Sequence, residues 1–222
     1  MFVCIAPLLD GDTLAKVRLL AHAARYRDGA ETAGWHARAV KHNRQADPAD
    51  IGEAAGLVSS ALLAHPVFRG AALPQRLSPI LFNRYEPGMD YGPHVDDALM
   101  AAGGARMRSD VSFTLFLDDP QSYEGGELVI DSAGDEQAVK LAAGACVVYP
   151  ATHLHRVAPV SRGRRHAAVG WVQSLVRDAA AREILFDLDT ARRAVFDQHG
   201  KSETFDRLAK TYANLLRRWA EP

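Results

Sequence analysis

Between residues 77 and 172 the chain gives up helical spacing for alternation, and that change limits the folds open to it. The clearest run is Asp110-Val111-Ser112-Phe113-Thr114-Leu115-Phe116-Leu117. Successive side chains on a strand point to opposite sides, so Val111, Phe113, Leu115 and Leu117 share one face. Asp118-Asp119-Pro120 and Gly125-Gly126 supply turns, and strand-like runs recur at 127–130, 138–141, 146–149, 154–157 and 167–172. Residues 77–85 open the series, with Pro79 at an edge or bulge because it has no N–H to give a ladder. Short strands at this density predict a sandwich or a double-sheet jelly roll.

Both flanks keep a helical period. Asp10 or Asp12 is placed to cap a helix carrying Leu14, Val17, Ala21 and Ala24, broken by Gly29 and Gly34. Asp47 reads as an N-cap with Pro48 first in the helix, and Ile51, Ala55, Val58 and Leu62 form a stripe that ends at His65-Pro66. Near the C-terminus Ile184, Leu185, Leu188, Ala191 and Val195 make one stripe, closed by His199-Gly200. Phe205, Leu208, Tyr212, Leu215 and Trp219 make another, starting near Ser202. The expected architecture is mainly β with flanking helices. Residues 1–175 would hold N-terminal helices and a double-stranded β-helix (jelly-roll) core, and residues 176–222 a C-terminal helical hairpin. The last stripe is expected to pack on the chain's own core; a homodimer through these helices is the alternative.

Composition removes several function classes. The 222 residues are 48% hydrophobic, enough for one filled core plus appended helices. Basic and acidic residues number 26 and 27, a net charge of −1, which favours neither nucleic acid nor an anionic membrane surface. No stretch approaches the roughly 20 apolar residues that cross a bilayer. The start of the chain has no basic segment of the signal-peptide kind. Cys4 and Cys146 read as small core residues, which suits a reducing, cytoplasmic setting.

The chemistry points to Tyr91-Gly92-Pro93-His94-Val95-Asp96. A His and a carboxylate two apart on a strand face the same way and can grip one metal ion. A second His from a distant strand would complete two imidazoles and one carboxylate, the facial set of non-haem Fe(II) oxygenases, which leaves positions free for co-substrate and O2. His153 and His155 both qualify, and they share strand parity, so periodicity does not choose between them. Asp97, the rival carboxylate, faces away from His94 and suits a turn cap or solvent. Of Arg162, Arg164 and Arg165, the last begins a strand and could turn inward to clamp a dicarboxylate through a bidentate pair. The Ala, Gly and Met of 98–108 suit a lid or a plain surface loop.

Taken in order, Phe82-Asn83-Arg84-Tyr85, the His94 to Asp96 run, Gly125-Gly126-Glu127-Leu128, His155-Arg156-Val157 and Arg165 resemble the bacterial PKHD-type hydroxylases. These are Fe(II)/2-oxoglutarate dioxygenases related to prolyl 4-hydroxylases, and the likeness covers nearly the whole chain. It implies a jelly-roll core with iron on His94, Asp96 and His155 and the far carboxylate of 2-oxoglutarate on Arg165. It also places Tyr85 and Asn83 along the co-substrate pocket. O2 would be the second co-substrate and ascorbate a further requirement. The reaction implied couples 2-oxoglutarate decarboxylation, giving succinate, to hydroxylation of a peptidyl proline or a small molecule linked to iron uptake. Two other readings stand beside it: a non-catalytic jelly-roll metal-binding sensor, and a cupin-like zinc hydrolase or isomerase, since the same ligands bind Zn2+.

Overall fold

A computed structural model describes residues 1–102, 104–132 and 134–222. The central strands form two antiparallel sheets. In the larger, the neighbours run Val3–Ile5, Cys146–Pro150, Val111–Phe116, Arg165–Ser174, Leu81–Tyr85, Arg44–Ala46 and Tyr26–Asp28, with Pro74–Leu77 pairing to Arg165–Ser174 as well. The smaller runs Asp135–Val139, Leu128–Ser132, His155–Val157, Asp90–His94 and Lys41–His42. From Leu81 onward the chain crosses repeatedly from one sheet to the other, which is the double-stranded β-helix arrangement expected.

The double alternation of Val111–Phe116 explains the layering. Val111, Phe113 and Leu115, with Leu117, pack outward onto Val17, Ala21, Ala54, Val58, Leu62 and Phe68. Those partners lie on the helices Gly11–Ala23, Gly52–Ala64 and Pro66–Ala72, or on their buried faces. Phe116 instead points between the sheets, to Tyr85, Leu128, Ile130, Val147 and Tyr149. Each fully buried side chain of this size stabilises the fold by about 1.5–3 kcal/mol, so neither face of the strand tolerates a polar slip in register.

Several local expectations are corrected. Asp10 caps the first helix, accepting from the Thr13 N–H at 2.8 Å. The second helix begins at Gly52, not at Pro48, because the Asp47 carboxylate is held by Arg27 and closes a turn through the Ala49 N–H at 3.1 Å. His65-Pro66 ends that helix but also starts another, with Pro66 in its first turn. The first third is not all helical: Tyr26–Asp28, Lys41–His42 and Arg44–Ala46 extend the two sheets. The 98–108 stretch is a hairpin pairing Leu99 with Arg108 and Met100 with Met107; position 103 lies outside the described residues.

The C-terminal hairpin consists of Ala179–His199 and Glu203–Trp219. Its stripe is rotated from the expected one. Ile184 is exposed, while Ala181, Leu185 and the Asp189 side chain face inward. Tyr212, Leu215, Leu216 and Trp219 pack against Leu73, Val176 and Leu185, so this helix does lie on the chain's own core. Among the described residues no helix is long and apolar enough to cross a membrane.

Candidate active site

The smaller sheet sets the distance between the two imidazoles. His155 lies directly across from His94 in the antiparallel pairing of His155–Val157 with Asp90–His94. Directly opposed residues bring their side chains together on one face, and here the rings sit 4.3 Å apart. Each ring is tied by Nδ1 to a carbonyl two residues back: His94 to Gly92 at 2.9 Å and His155 to His153 at 3.1 Å. Nδ1 therefore carries the proton, and Nε2 is left as the lone-pair atom in both rings. Tyr91 stacks on His94 with centroids 3.6 Å apart and planes 14° off parallel. Both imidazoles are buried, at 6% and 7% exposure.

Asp96 arrives by a different route from the one its spacing predicts. The strand stops at His94, and Asp96 sits in the segment beyond it. Its Oδ2 accepts from the Ser112 hydroxyl at 2.6 Å, and its Oδ1 lies 3.8 Å from His155 Nε2. One ligating atom from each of His94, Asp96 and His155 falls within 4.8 Å of the others. Asp97 is excluded from this group. It is exposed, 3.8 Å from His36 Nε2, and so close to Gly34 that a side chain there would collide with its carboxylate. His153 is also excluded: it precedes the strand, and its Nδ1 bonds the Asp131 carbonyl at 2.8 Å.

The converging groups open into a cavity of about 380 Å3 between the sheets. Arg165 lies at its inner end, 2% exposed, opposite Tyr85 in the strand pairing. Its guanidinium sits 5.2 Å from the ring centres of Tyr85 and Phe116, and among the described residues its Nε has no hydrogen-bond partner. A buried, unpaired guanidinium donor is costly unless an anion meets it. Gly126, at φ 69°, makes room for it: a Cβ there would stand 2.9 Å from Arg165 Cδ. Asn83 and Tyr85 share the wall, and Asn83 Oδ1 is buried without a partner among the described residues. These features fit a divalent metal ion at the imidazoles and a dicarboxylate reaching back to Arg165.

Sequence reasoning missed Lys41, Ser112, Tyr91 and Tyr149, all of which line the same cavity. Ser112 carried a signal: a polar residue on the second face of a strand with a fully apolar first face. Lys41 carried none, because its strand is two residues long. Burial pushes the Lys41 ammonium down to about 8, against the opposing pull of the Asp96 charge. Burial pushes the Tyr85 phenol up, opposed by Arg165, and also raises Tyr91 and Tyr149, so all three stay protonated donors.

Burial, reinforced by the neighbouring His155, pushes His94 down from 6.5 to about 4. The unfolded chain takes up that proton near pH 6.5 and the folded chain resists it until about pH 4. Stability contributed by this group is therefore present above 6.5 and is lost as pH falls toward 4. Urea midpoints of the metal-free protein are expected to drop across that window, and His94→Gln to flatten the slope. Equal slopes for the two proteins would contradict this assignment.

Two imidazoles, a carboxylate and a buried guanidinium meeting in one jelly-roll cavity are the groups a 2-oxoglutarate- and Fe(II)-dependent oxygenase would need. Residues 80–173 match the 2OG-Fe(II) oxygenase superfamily, and residues 179–221 match the PKHD-type hydroxylase C-terminal domain. A PKHD-type hydroxylase of Synechococcus elongatus is 54% identical over the full length of both chains. Another, of Gloeothece citriformis, is 51% identical over the same extent. The chain belongs to the PKHD-type hydroxylase family, and is a 2-oxoglutarate-dependent dioxygenase whose family works with Fe(II), 2-oxoglutarate and O2. The fold is shared with more distant solved structures. A Pseudomonas putida prolyl-4-hydroxylase superposes with TM-score 0.54 at 21% identity, over 78% of this chain and 92% of its own. A prolyl hydroxylase of Trichoplax adhaerens, solved with a hypoxia inducible factor peptide, gives 0.60 at 15% identity, over 78% and 83%.

Proposed function

We propose that this chain couples 2-oxoglutarate decarboxylation to hydroxylation of a second substrate, with Fe(II) on His94, Asp96 and His155 and the far carboxylate of 2-oxoglutarate on Arg165. The observation that carries the assignment is the cross-strand pairing of His155 with His94, with the buried Arg165, whose Nε lacks a partner among the described residues, in the same cavity. Bound iron would supply the site at which O2 is activated against the 2-oxo acid. The chain's own task is to hold, orient and keep dry. His94 and His155 present Nε2 because their Nδ1 atoms are fixed to backbone carbonyls. Ser112 holds one oxygen of Asp96, leaving the other for the metal, so Asp96 acts as a ligand and not as a general base. Arg165 neutralises the far carboxylate through a bidentate pair, and Tyr85 and Asn83 line the path to it.

Ser112→Ala is expected to lower Fe(II) affinity about 10–100-fold, as loss of a partner that orients a ligand does. Anaerobic Fe(II) titration reads this directly, and an unchanged affinity would remove Ser112 from the site.

The cavity is larger than a five-carbon diacid needs, which leaves space for part of a second substrate. Its mouth is lined by Ala33, Gly34, Val95, Met100 and Trp171, with Trp35 largely exposed beside Gly34. A mouth of this kind suits a peptidyl proline or the aromatic parts of an iron-uptake molecule. The prolyl hydroxylases among the structural neighbours support the first. The structure of HygX from Streptomyces hygroscopicus with 2-oxoglutarate and hygromycin B supports a small molecule. Ascorbate would serve as reductant for iron lost to side oxidation. The division into residues 1–175 and a helical extension at 176–222 belongs to the same reading, supported by the gap between residues 173 and 179 in the two family matches. So does a cytoplasmic location, supported by two free cysteines. A homodimer would have to use outward residues of the C-terminal hairpin such as Ile184 and Phe196.

The test is addition of Fe(II) and 2-oxoglutarate without O2, then succinate release under O2 with proline peptides or siderophores. A visible charge-transfer band and stimulation by one class are expected. Absence of both the band and succinate release would overturn the reading.

A further inference from the structure

Arg165 and His166 are consecutive on one strand, so alternation sends the first into the cavity and the second to the opposite face of the larger sheet. There His166 meets His22 and Asp118, and the three offer ligating atoms within 4.8 Å of one another. Three separate elements build this cluster. His22 stands in the last turn of the helix Gly11–Ala23, and Asp118 follows the strand Val111–Phe116. Asp118 Oδ2 accepts from the His166 backbone N–H at 2.7 Å and lies 2.7 Å from His166 Nδ1. Asp118 Oδ1 lies 3.2 Å from His22 Nε2. The two rings are 4.4 Å apart and inclined by 39°.

We propose that His22, Asp118 and His166 form a second divalent transition-metal site, separate from the one at His94, Asp96 and His155. The donor set is two imidazoles and one carboxylate, which suits a zinc-like ion with water in the remaining positions. The 3.2 Å between His22 Nε2 and Asp118 Oδ1 is close to the roughly 3.3 Å between two donors that each lie about 2 Å from a tetrahedral ion. The backbone N–H of His166 fixes the carboxylate as an outer partner of a metal ligand does. Asp118 and His166 are buried, while the His22 side chain is 43% exposed and gives a route in from solvent. The competing cation is Arg18, whose Nη2 is 3.7 Å from Asp118 Oδ1. It is 40% exposed and beyond hydrogen-bond reach, so it can swing into water as an ion enters. Tyr26 closes one side, its ring 6.1 Å from that of His166. On the His166 side the entering ion displaces a 2.7 Å contact, which must open by about 0.6 Å to reach the roughly 3.3 Å donor spacing.

Anaerobic Co2+ titration of the metal-free full-length protein tests this, with equivalents counted by absorption and by competition with a chromophoric chelator. The proteins compared are wild type, His22→Ala, His94→Ala and the double variant. His22 is half-exposed at a helix end, so its replacement spares the core, and His22→Gln repeats the test with more of the ring's volume kept. Two equivalents are expected for wild type, one for each single variant and none for the double. Zn2+ should raise the melting temperature of His94→Ala and leave that of the double variant unmoved. A single wild-type equivalent, kept in His22→Ala and lost in His94→Ala, would overturn the proposal and leave the cluster as a hydrogen-bonded Asp–His pair. A single equivalent lost only in His22→Ala or His22→Gln would support it while refuting the inner site.

Discussion

His155→Ala should leave the protein folded but unable to hold iron between His94 and Asp96. Removing one of three ligands costs more than the roughly 10–100-fold that follows loss of an outer partner. The charge-transfer absorption formed anaerobically with Fe(II) and 2-oxoglutarate should vanish, and succinate release should fall to background. The fold should survive because the cross-strand partner of His155, Ile130, and the nearby Val157 keep the packing between the sheets. His153→Ala is the matched control. It removes the hydrogen bond to the Asp131 carbonyl, and activity should stay within a few-fold of wild type. Retained turnover in His155→Ala together with loss in His153→Ala would move the third ligand and undo the site as drawn.

Arg165→Ala has the second large effect, on a different constant. Truncating one partner of a buried, hydrogen-bonded charge pair costs about 2–5 kcal/mol, or roughly 30- to several-thousand-fold in affinity. The KM for 2-oxoglutarate should rise by that factor while Fe(II) affinity is unchanged, because the guanidinium touches no proposed ligand. Arg165→Lys should recover little, since a point charge lacks the fork that meets a carboxylate in two places. An Arg165→Ala protein with normal KM for 2-oxoglutarate would show that the diacid lies elsewhere in the cavity.

Legibility in the sequence followed element length and the number of faces an element buries. The strand Val111–Phe116 was readable because one face is wholly apolar, and it lies where its alternation predicted. Tyr26–Asp28 and Lys41–His42 were not, because two or three residues carry no period. Their place in the sheets is set by partners distant in sequence: Ala46 for Tyr26, Tyr91 for Lys41. The His and acid at 94 and 96 were legible as a pair for a reason that holds only in part. Parity on a strand suggested a shared face, yet the strand ends at His94 and the Ser112 hydroxyl brings the acid back. Nothing local could choose between His153 and His155; the register sets His155, and not His153, across from His94. Asp47 read as a helix cap on spacing alone, while its carboxylate is taken by Arg27, a pairing across the sheet that spacing cannot reveal.

Gly126 has a consequence for which diacids the enzyme can accept. The Arg165 stem runs past a backbone that has no side chain to give way, with Val160 and Tyr123 packed on the same spot. Gly126 thus leaves room for the stem beside Val160 and Tyr123, while the strand register sets His94 across from His155. If the co-substrate spans from the Arg165 guanidinium to a metal ion held by those imidazoles, homologues one methylene shorter or longer are expected to bind more weakly.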